Sequence, residues 1–175
     1  MKRIFLIGFM GSGKTTIGNL LANKLNFSFI DLDHYIENRM RKKITDIFAE
    51  IGEDGFRELE HKILMEVSLL DNVVISTGGG TPCFYDNMEI MNEHGLSLYL
   101  KLSNEALTDR LHKAKAFRPL IKDKSDIELV EFIKETLTKR EKYYMQASLV
   151  IENDDNNPDN TCKQIISLIK KPAQT

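Results

Sequence analysis

Eight residues constrain this chain more than any others: Gly8-Phe9-Met10-Gly11-Ser12-Gly13-Lys14-Thr15, which match G-x-x-x-x-G-K-[ST]. Glycines at that spacing let backbone N–H groups close around phosphate oxygens. The lysine reaches the outer phosphates and the threonine hydroxyl ligates Mg²⁺. A glycine turn that binds nothing would need no particular neighbours. Here Ile4-Phe5-Leu6-Ile7 precedes the loop as a buried strand would. Ile17, Leu20, Leu21 and Leu25 follow at helical spacing. A loop that leaves a strand and opens a helix aims the helix's positive end at phosphates.

The same alternation runs through the chain. Apolar runs at 4–7, 27–30, 73–75, 96–100 and 149–151 separate helical patterns near 14–25, 33–51, 55–70, 86–93, 103–112, 128–147 and 158–170. Continuous apolar runs suit parallel strands covered on both faces. The expectation is an α/β fold: a three-layer open sandwich around a mostly five-stranded parallel sheet, in one domain spanning 1–175. Ligands in such sheets bind outside the carboxyl ends of the strands.

Bulk properties narrow the partners. Net charge is −2, so nothing draws the chain to nucleic acid or an anionic membrane, and an anionic ligand needs local cations. Met1-Lys2-Arg3 before apolar residues imitates a secretory signal, but the run is broken by the glycine loop. No stretch approaches the ~20 apolar residues of a membrane span. Cys83 and Cys162 stand apart without metal-ligand company and read as free thiols. The expectation is a cytoplasmic protein for which nothing demands more than a monomer.

Acids and glycines gather where the fold places chemistry. The second run ends in Asp31-Leu32-Asp33; the third continues into Ser76-Thr77-Gly78-Gly79-Gly80. Phosphoryl transfer needs positioned phosphates, a metal, charge stabilisation and an oriented acceptor. Asp31 can reach a metal through water. Asp33 can orient a substrate hydroxyl or act as base, or simply cap a helix. Three glycines in a row pack nothing and suggest close approach of a ligand to backbone N–H groups. Arg57, beside a buried stripe of Phe56, Leu59, Ile63, Val67 and Leu70, has Glu60 one turn on to orient it. Arg140 falls on the inward face marked by Leu129, Ile133, Leu137, Tyr144 and Ala147, where a guanidinium requires an anion, internal or from a ligand. Two arginines at one site suit a carboxylate. The segment 113–124 carries Lys113, Lys115, Arg118, Lys122 and Lys124 against Asp123, and Pro119 argues against a continuous helix, as in a basic lid over phosphates. The four histidines show no metal-ligand spacing.

Taken in order, the phosphate loop, Asp31-Leu32-Asp33, Phe56-Arg57-Glu58-Leu59-Glu60, Thr77-Gly78-Gly79-Gly80, Arg118-Pro119-Leu120-Ile121 and Arg140-x-x-Tyr143 resemble the shikimate kinase family, of the nucleoside-monophosphate-kinase-like branch of P-loop proteins. The resemblance covers nearly the whole chain. It implies a P-loop kinase fold with a lid, and transfer of the γ-phosphate of ATP to the 3-hydroxyl of shikimate in aromatic amino-acid biosynthesis. By that similarity Asp33 orients the shikimate hydroxyls, Arg57 and Arg140 hold its carboxylate, and Gly79 offers a backbone N–H. Gly11, Ser12, Gly13, Lys14, Thr15 and Thr16 hold the nucleotide, with Arg110 near the adenine and Arg118 on the phosphates. Lys14, Asp33 and Arg118 form the catalytic set, and Thr15 and Asp31 the Mg²⁺ contacts. One position departs from the family pattern, in the stretch Asn153–Pro158 that the resemblance sets near the adenine: Asn157 precedes Pro158 where Ser or Thr is common, and Asn caps a helix equally well. Ser76 closes the third strand where many P-loop enzymes place a second metal-binding aspartate, as it looks in this family. Competing readings are a kinase for gluconate or a nucleoside monophosphate, and a nucleotide-dependent switch without chemistry. Against the first stands the pair Arg57 and Arg140, which calls for a carboxylate rather than the larger base-binding surface a nucleotide acceptor requires; the second needs neither Asp33 nor a basic lid.

Overall fold

The computed structural model of the chain describes residues 2–117, 120–154 and 157–170. Five strands, β1 (Arg3–Ile7), β2 (Ser28–Asp31), β3 (Val73–Ser76), β4 (Leu96–Lys101) and β5 (Leu149–Glu152), form one sheet in the order β2-β3-β1-β4-β5, with every pairing parallel. Helices α1 (Lys14–Leu25), α2 (Leu32–Met40), α3 (Ile44–Val67), α4 (Asn87–His94), α5 (Asn104–Lys113), α6 (Asp126–Tyr144) and α7 (Pro158–Lys170) cover it. The five-stranded parallel sandwich expected from the alternation is what forms.

Alternation along β1 divides the interior in two. Ile4 and Leu6 face α1 and α7, joining Ile17, Leu21, Val74, Leu98, Ile151, Cys162 and Ile165. Phe5 and Ile7 face the opposite side, with Leu32, Ile63, Leu64, Met91, Leu111, Ile133 and Tyr144 from α2 to α6. A strand apolar at every position is thus buried twice over. The helix after β1 lies on one face and the helix after the neighbouring β3 on the other. This divergence opens a crevice between the two carboxyl ends, the usual ligand site of open parallel sheets.

Three expectations need correction. The helical pattern at 33–51 is not one helix: α2 stops at Met40, Arg41 takes a left-handed φ of 52°, and α3 begins at Ile44. No glycine or proline marks that break. The Glu37 carboxylate makes it, accepting from Ile44 N–H at 3.1 Å in place of an ordinary cap. Gly52, at φ 71° and ψ −177°, then interrupts α3, a conformation open to glycine and strained for other residues. The buried stripe of α3 ends at Val67 rather than Leu70, which is 44% exposed, because the Arg3 guanidinium takes the carbonyls of Leu69 and Leu70 where the helix ends. The third correction is at α6, which runs 126–144 rather than 128–147. Ser125 and Glu128 form a reciprocal capping box at its start, and Ala147 lies past its end.

Candidate active site

The carboxyl ends of β1, β2 and β3 open into a polar cleft of about 150 Å³, walled by the phosphate loop, by Asp31 and Asp33, and by Ser76 to Gly79. Gly11 and Gly13 both lie in the left-handed region, at φ 81° and 93°, which turns the loop over the start of α1. Lys14 is 9% exposed and folds back along the loop, its Nζ donating to the Gly8 and Phe9 carbonyls at 2.9 Å each.

The loop is braced from behind. Asn153, a residue placed in the sequence only near the adenine, is buried: its Nδ2 donates to the Ser12 carbonyl at 2.8 Å and its Oδ1 accepts from Thr161 at 2.7 Å. Arg110 reaches the same carbonyl at 3.4 Å and the Asn153 carbonyl at 2.9 Å, so it lies against the loop on the side away from Asp33. The Ser12 hydroxyl is buried without a hydrogen-bond partner among the described residues, and its N–H donates to the Phe9 carbonyl. Ser12 therefore shapes the loop from inside. Thr16 is exposed on the first turn of α1, outside the cleft lining. Asn157 caps α7 as expected, accepting from Asp159 and Asn160 N–H at 3.1 and 3.3 Å.

Across the cleft, the Thr15 hydroxyl donates to Asp31 Oδ2 at 2.7 Å. Asp31 is also the residue that caps α2, so the capping role weighed for Asp33 belongs to its neighbour two positions earlier. These are hard oxygen donors, and among the described residues no group of three acids, histidines or cysteines could hold an ion alone. Such a set suits a cation like Mg²⁺, which keeps several waters and takes phosphate oxygens as its other ligands. Asp33 is open to water yet sits at the floor of a concave wall. Loss of surrounding water against that wall, then the Asp31 and Glu60 carboxylates, push its acid up to about 6, with Lys14 and His34 pulling the other way.

The two arginines meet at the glycine loop. Arg57 is not an exposed helical pair: its side chain is 11% exposed and donates to Glu60, itself 1% exposed, at 2.9 Å. Phe84 lies 4.3 Å from its guanidinium carbon, with Phe56 and Phe48 at 5.3 and 5.9 Å. A Cβ on Gly80 would stand 2.8 Å from Arg57 Nη2, and one on Gly79 would stand 3.4 Å from Arg140 Nη1. Both guanidinium groups thus flank the glycine loop. Glu141, beside Arg140 in sequence, pairs with Lys101 at 3.1 Å, and no carboxylate among the described residues forms an ion pair with Arg140. Cys83 lies close enough to feel both arginines, but burial pushes its thiol up to about 11, so it stays protonated.

Sequence reasoning treated Tyr144 as core alone. The ring is buried, but its hydroxyl lies beside Arg140 and donates to the Gly79 carbonyl at 2.5 Å, pinning the loop between the arginines. Burial holds that phenol well above its usual range, so it remains a donor. A tyrosine rather than phenylalanine on an inward face was the available signal. Arg118 and Pro119 lie outside the described residues. Of the basic segment around them, Ile121 is wholly buried and Lys124 lies 5.2 Å from the Phe132 ring, so the stretch is anchored at its far end.

This arrangement places a phosphate loop, the paired oxygens of Thr15 and Asp31, an acid of raised pKa and two guanidinium groups around one small cleft. Comparison with known proteins shows the family. The shikimate kinase family model matches residues 10–170. A shikimate kinase of Azobacteroides pseudotrichonymphae is 60% identical over 151 residues, 86% of this chain and 89% of that protein. One of Parabacteroides distasonis is 48% identical across 98% of this chain and 99% of that protein. The crystal structure of the Bacteroides thetaiotaomicron shikimate kinase superposes with a TM-score of 0.94 at 46% identity, covering 97% and 99% of the two chains. That of the Acinetobacter baumannii shikimate kinase in complex with shikimate superposes with a TM-score of 0.89 at 31% identity, covering 100% and 96%. With motif order, sheet topology and relatives in agreement over nearly its full length, the chain belongs to the shikimate kinase family.

Proposed function

We propose that this chain carries out its family's reaction, transfer of the γ-phosphoryl group of ATP to the 3-hydroxyl of shikimate, with Arg57, Arg140 and the Gly79 N–H holding the acceptor's carboxylate end and Asp33 its hydroxyl end. The observation that carries the assignment is the meeting of two guanidinium groups at Gly79 and Gly80, one of them without an internal carboxylate partner among the described residues. A planar carboxylate satisfies both forks, whereas a nucleoside monophosphate offers a phosphate and requires a larger base-binding surface.

Asp33 accepts a hydrogen bond from the attacking hydroxyl and takes its proton as the new P–O bond forms, while ADP leaves with the β–γ bridging oxygen. An acid near 6 is a carboxylate at neutral pH and basic enough for that task. The N–H groups of Gly11, Gly13, Lys14, Thr15 and Thr16 at the head of α1 face the phosphates. On nucleotide binding Lys14 exchanges the Gly8 and Phe9 carbonyls for phosphate oxygens. The Thr15 hydroxyl and the Asp31 carboxylate would hold Mg²⁺, the second through water, and the ion would supply neutralisation of phosphate charge. Arg118 adds charge stabilisation on the transferring group by family likeness, and the basic segment 113–124 closes as a lid. Two free thiols accord with a reducing cytoplasm, and the chain acts as a monomer.

A coupled ADP-release assay against shikimate, gluconate and AMP tests the reading. Turnover with shikimate alone is expected. Equal or faster turnover with gluconate or AMP would overturn it.

A further inference from the structure

Behind Arg57 a line of buried polar groups runs to the protein surface without entering the cleft. Glu60 gives one oxygen to Arg57 and the other to the Thr81 hydroxyl, at 2.9 and 2.6 Å. The Thr81 carbonyl accepts from Asn87 Nδ2 at 2.8 Å, and Asn87 Oδ1 lies 2.7 Å from His61 Nδ1. Glu60, Thr81 and Asn87 are 1%, 0% and 0% exposed. Polar groups at such depth are costly unless every atom is paired, and here the pairing is chemically forced. A carbonyl can only accept, so the Asn87 nitrogen must face Thr81. Its oxygen therefore faces the imidazole, and His61 Nδ1 must carry a proton whether the ring is neutral or charged.

The line also forms a clamp. Glu60 and His61 are adjacent on α3 and grip the segment 81–87 at both ends, one through Thr81 and the other through Asn87. Between these two points lies Phe84, stacked over Arg57, and just before them Gly80, packed beneath it. Tyr85, at a left-handed φ of 49°, lays its ring 4.8 Å from that of His61.

We infer that His61 and Asn87 are positioning residues for the acceptor-carboxylate grip. By fixing Thr81 they set the direction of the Glu60 carboxylate and the seat of Phe84, and through both the orientation of Arg57. The inference rests on the reading of Arg57 as a carboxylate ligand.

Steady-state kinetics of a His61 series tests it, because His61 is half-buried and its variants should fold. His61→Leu leaves Asn87 Oδ1 buried without a donor and is expected to raise KM for shikimate on the order of 10-fold, with kcat and KM for ATP within about 2-fold. His61→Asn places an amide N–H where Nδ1 stood and should restore KM; His61→Gln places it farther out and should not. Arg57→Ala serves as the reference. If it leaves KM for shikimate unchanged, the reading of Arg57 falls and takes this inference with it. If Arg57→Ala raises that KM but His61→Leu does not, the clamp alone is refuted. Equal behaviour of the Asn and Gln variants, or parallel loss of ATP and shikimate parameters with Tm, likewise refutes it in favour of general destabilisation.

Discussion

Gly80→Ala isolates the position of one guanidinium from everything else in the site. Gly80 has φ −90° and ψ −23°, which alanine adopts without strain, so the backbone gains ~0.4–1 kcal/mol from reduced freedom of the unfolded chain. The cost lies in the added methyl, which would meet Arg57 Nη2, Nη1 and Cζ at 2.8, 2.9 and 3.1 Å. A side-chain terminus can usually swing away, but Phe84 and Glu60 hold this one on its other sides. Relief to ordinary contact needs a shift of roughly 0.6 Å, and overpacking of this kind costs ~1–3 kcal/mol. The net is a loss of about 0–2.6 kcal/mol, a fall in Tm of at most roughly 10 °C for a chain of this size. Binding should not be spared, since displacements approaching 1 Å in a positioning group cost up to ~10²-fold. The expected outcome is a rise in KM for shikimate on the order of 10-fold with KM for ATP unchanged, measured by coupled ADP release beside calorimetry. An unchanged shikimate KM would refute the claim that Arg57 works at a fixed position. Collapse of Tm would show instead that Arg57 is a structural pin.

The remaining outcomes concern Asp33, Tyr144 and Arg118, the last resting on family likeness. Asp33→Asn should abolish phosphorylation while ATP still binds by calorimetric titration; because the acid rises from 3.8 to about 6 on folding, the wild type alone loses stability as pH climbs through that window, so the variant's relative Tm should improve between pH 4 and 7. In the wild type the same titration predicts kcat/KM falling below pH ~6, and a flat profile there would exclude Asp33 as the group that accepts the proton. Tyr144→Phe leaves the Gly79 carbonyl without its donor and should cost ~1–2 kcal/mol in urea unfolding while raising KM for shikimate more than KM for ATP. Arg118→Ala should slow turnover on the order of 10³-fold with Tm unchanged, and a loss of only a few-fold would make that arginine incidental.

How much could be read in advance depended on the range of each interaction. Strand and helix types were legible because two-sided burial of the central strands leaves continuous apolar runs, and the helices keep a 3.6-residue period. The break at Arg41 was not, since the Glu37 carboxylate, four residues before it, caps the following helix at Ile44 N–H and no local signal accompanies it. Arg57, Asp33 and Arg140 could be singled out by residue type and face. Tyr144 and Asn153 were visible but read as core and as an adenine neighbour, because their hydrogen-bond partners, Gly79 and Ser12, lie 65 and 141 residues away.

From its residues alone the chain carries a phosphate loop, a parallel α/β order and a set of acids and arginines suited to an anionic acceptor, because each of these is encoded in contiguous residues or a simple period. The tertiary structure decided which of those side chains meet. Only folding brings the 77–87 segment between α3 and α6, places Gly79 and Gly80 against two guanidinium groups, and closes a buried hydrogen-bonded line from Arg57 to His61. Contacts of that separation depend on how whole elements pack, and no local pattern in the chain records them.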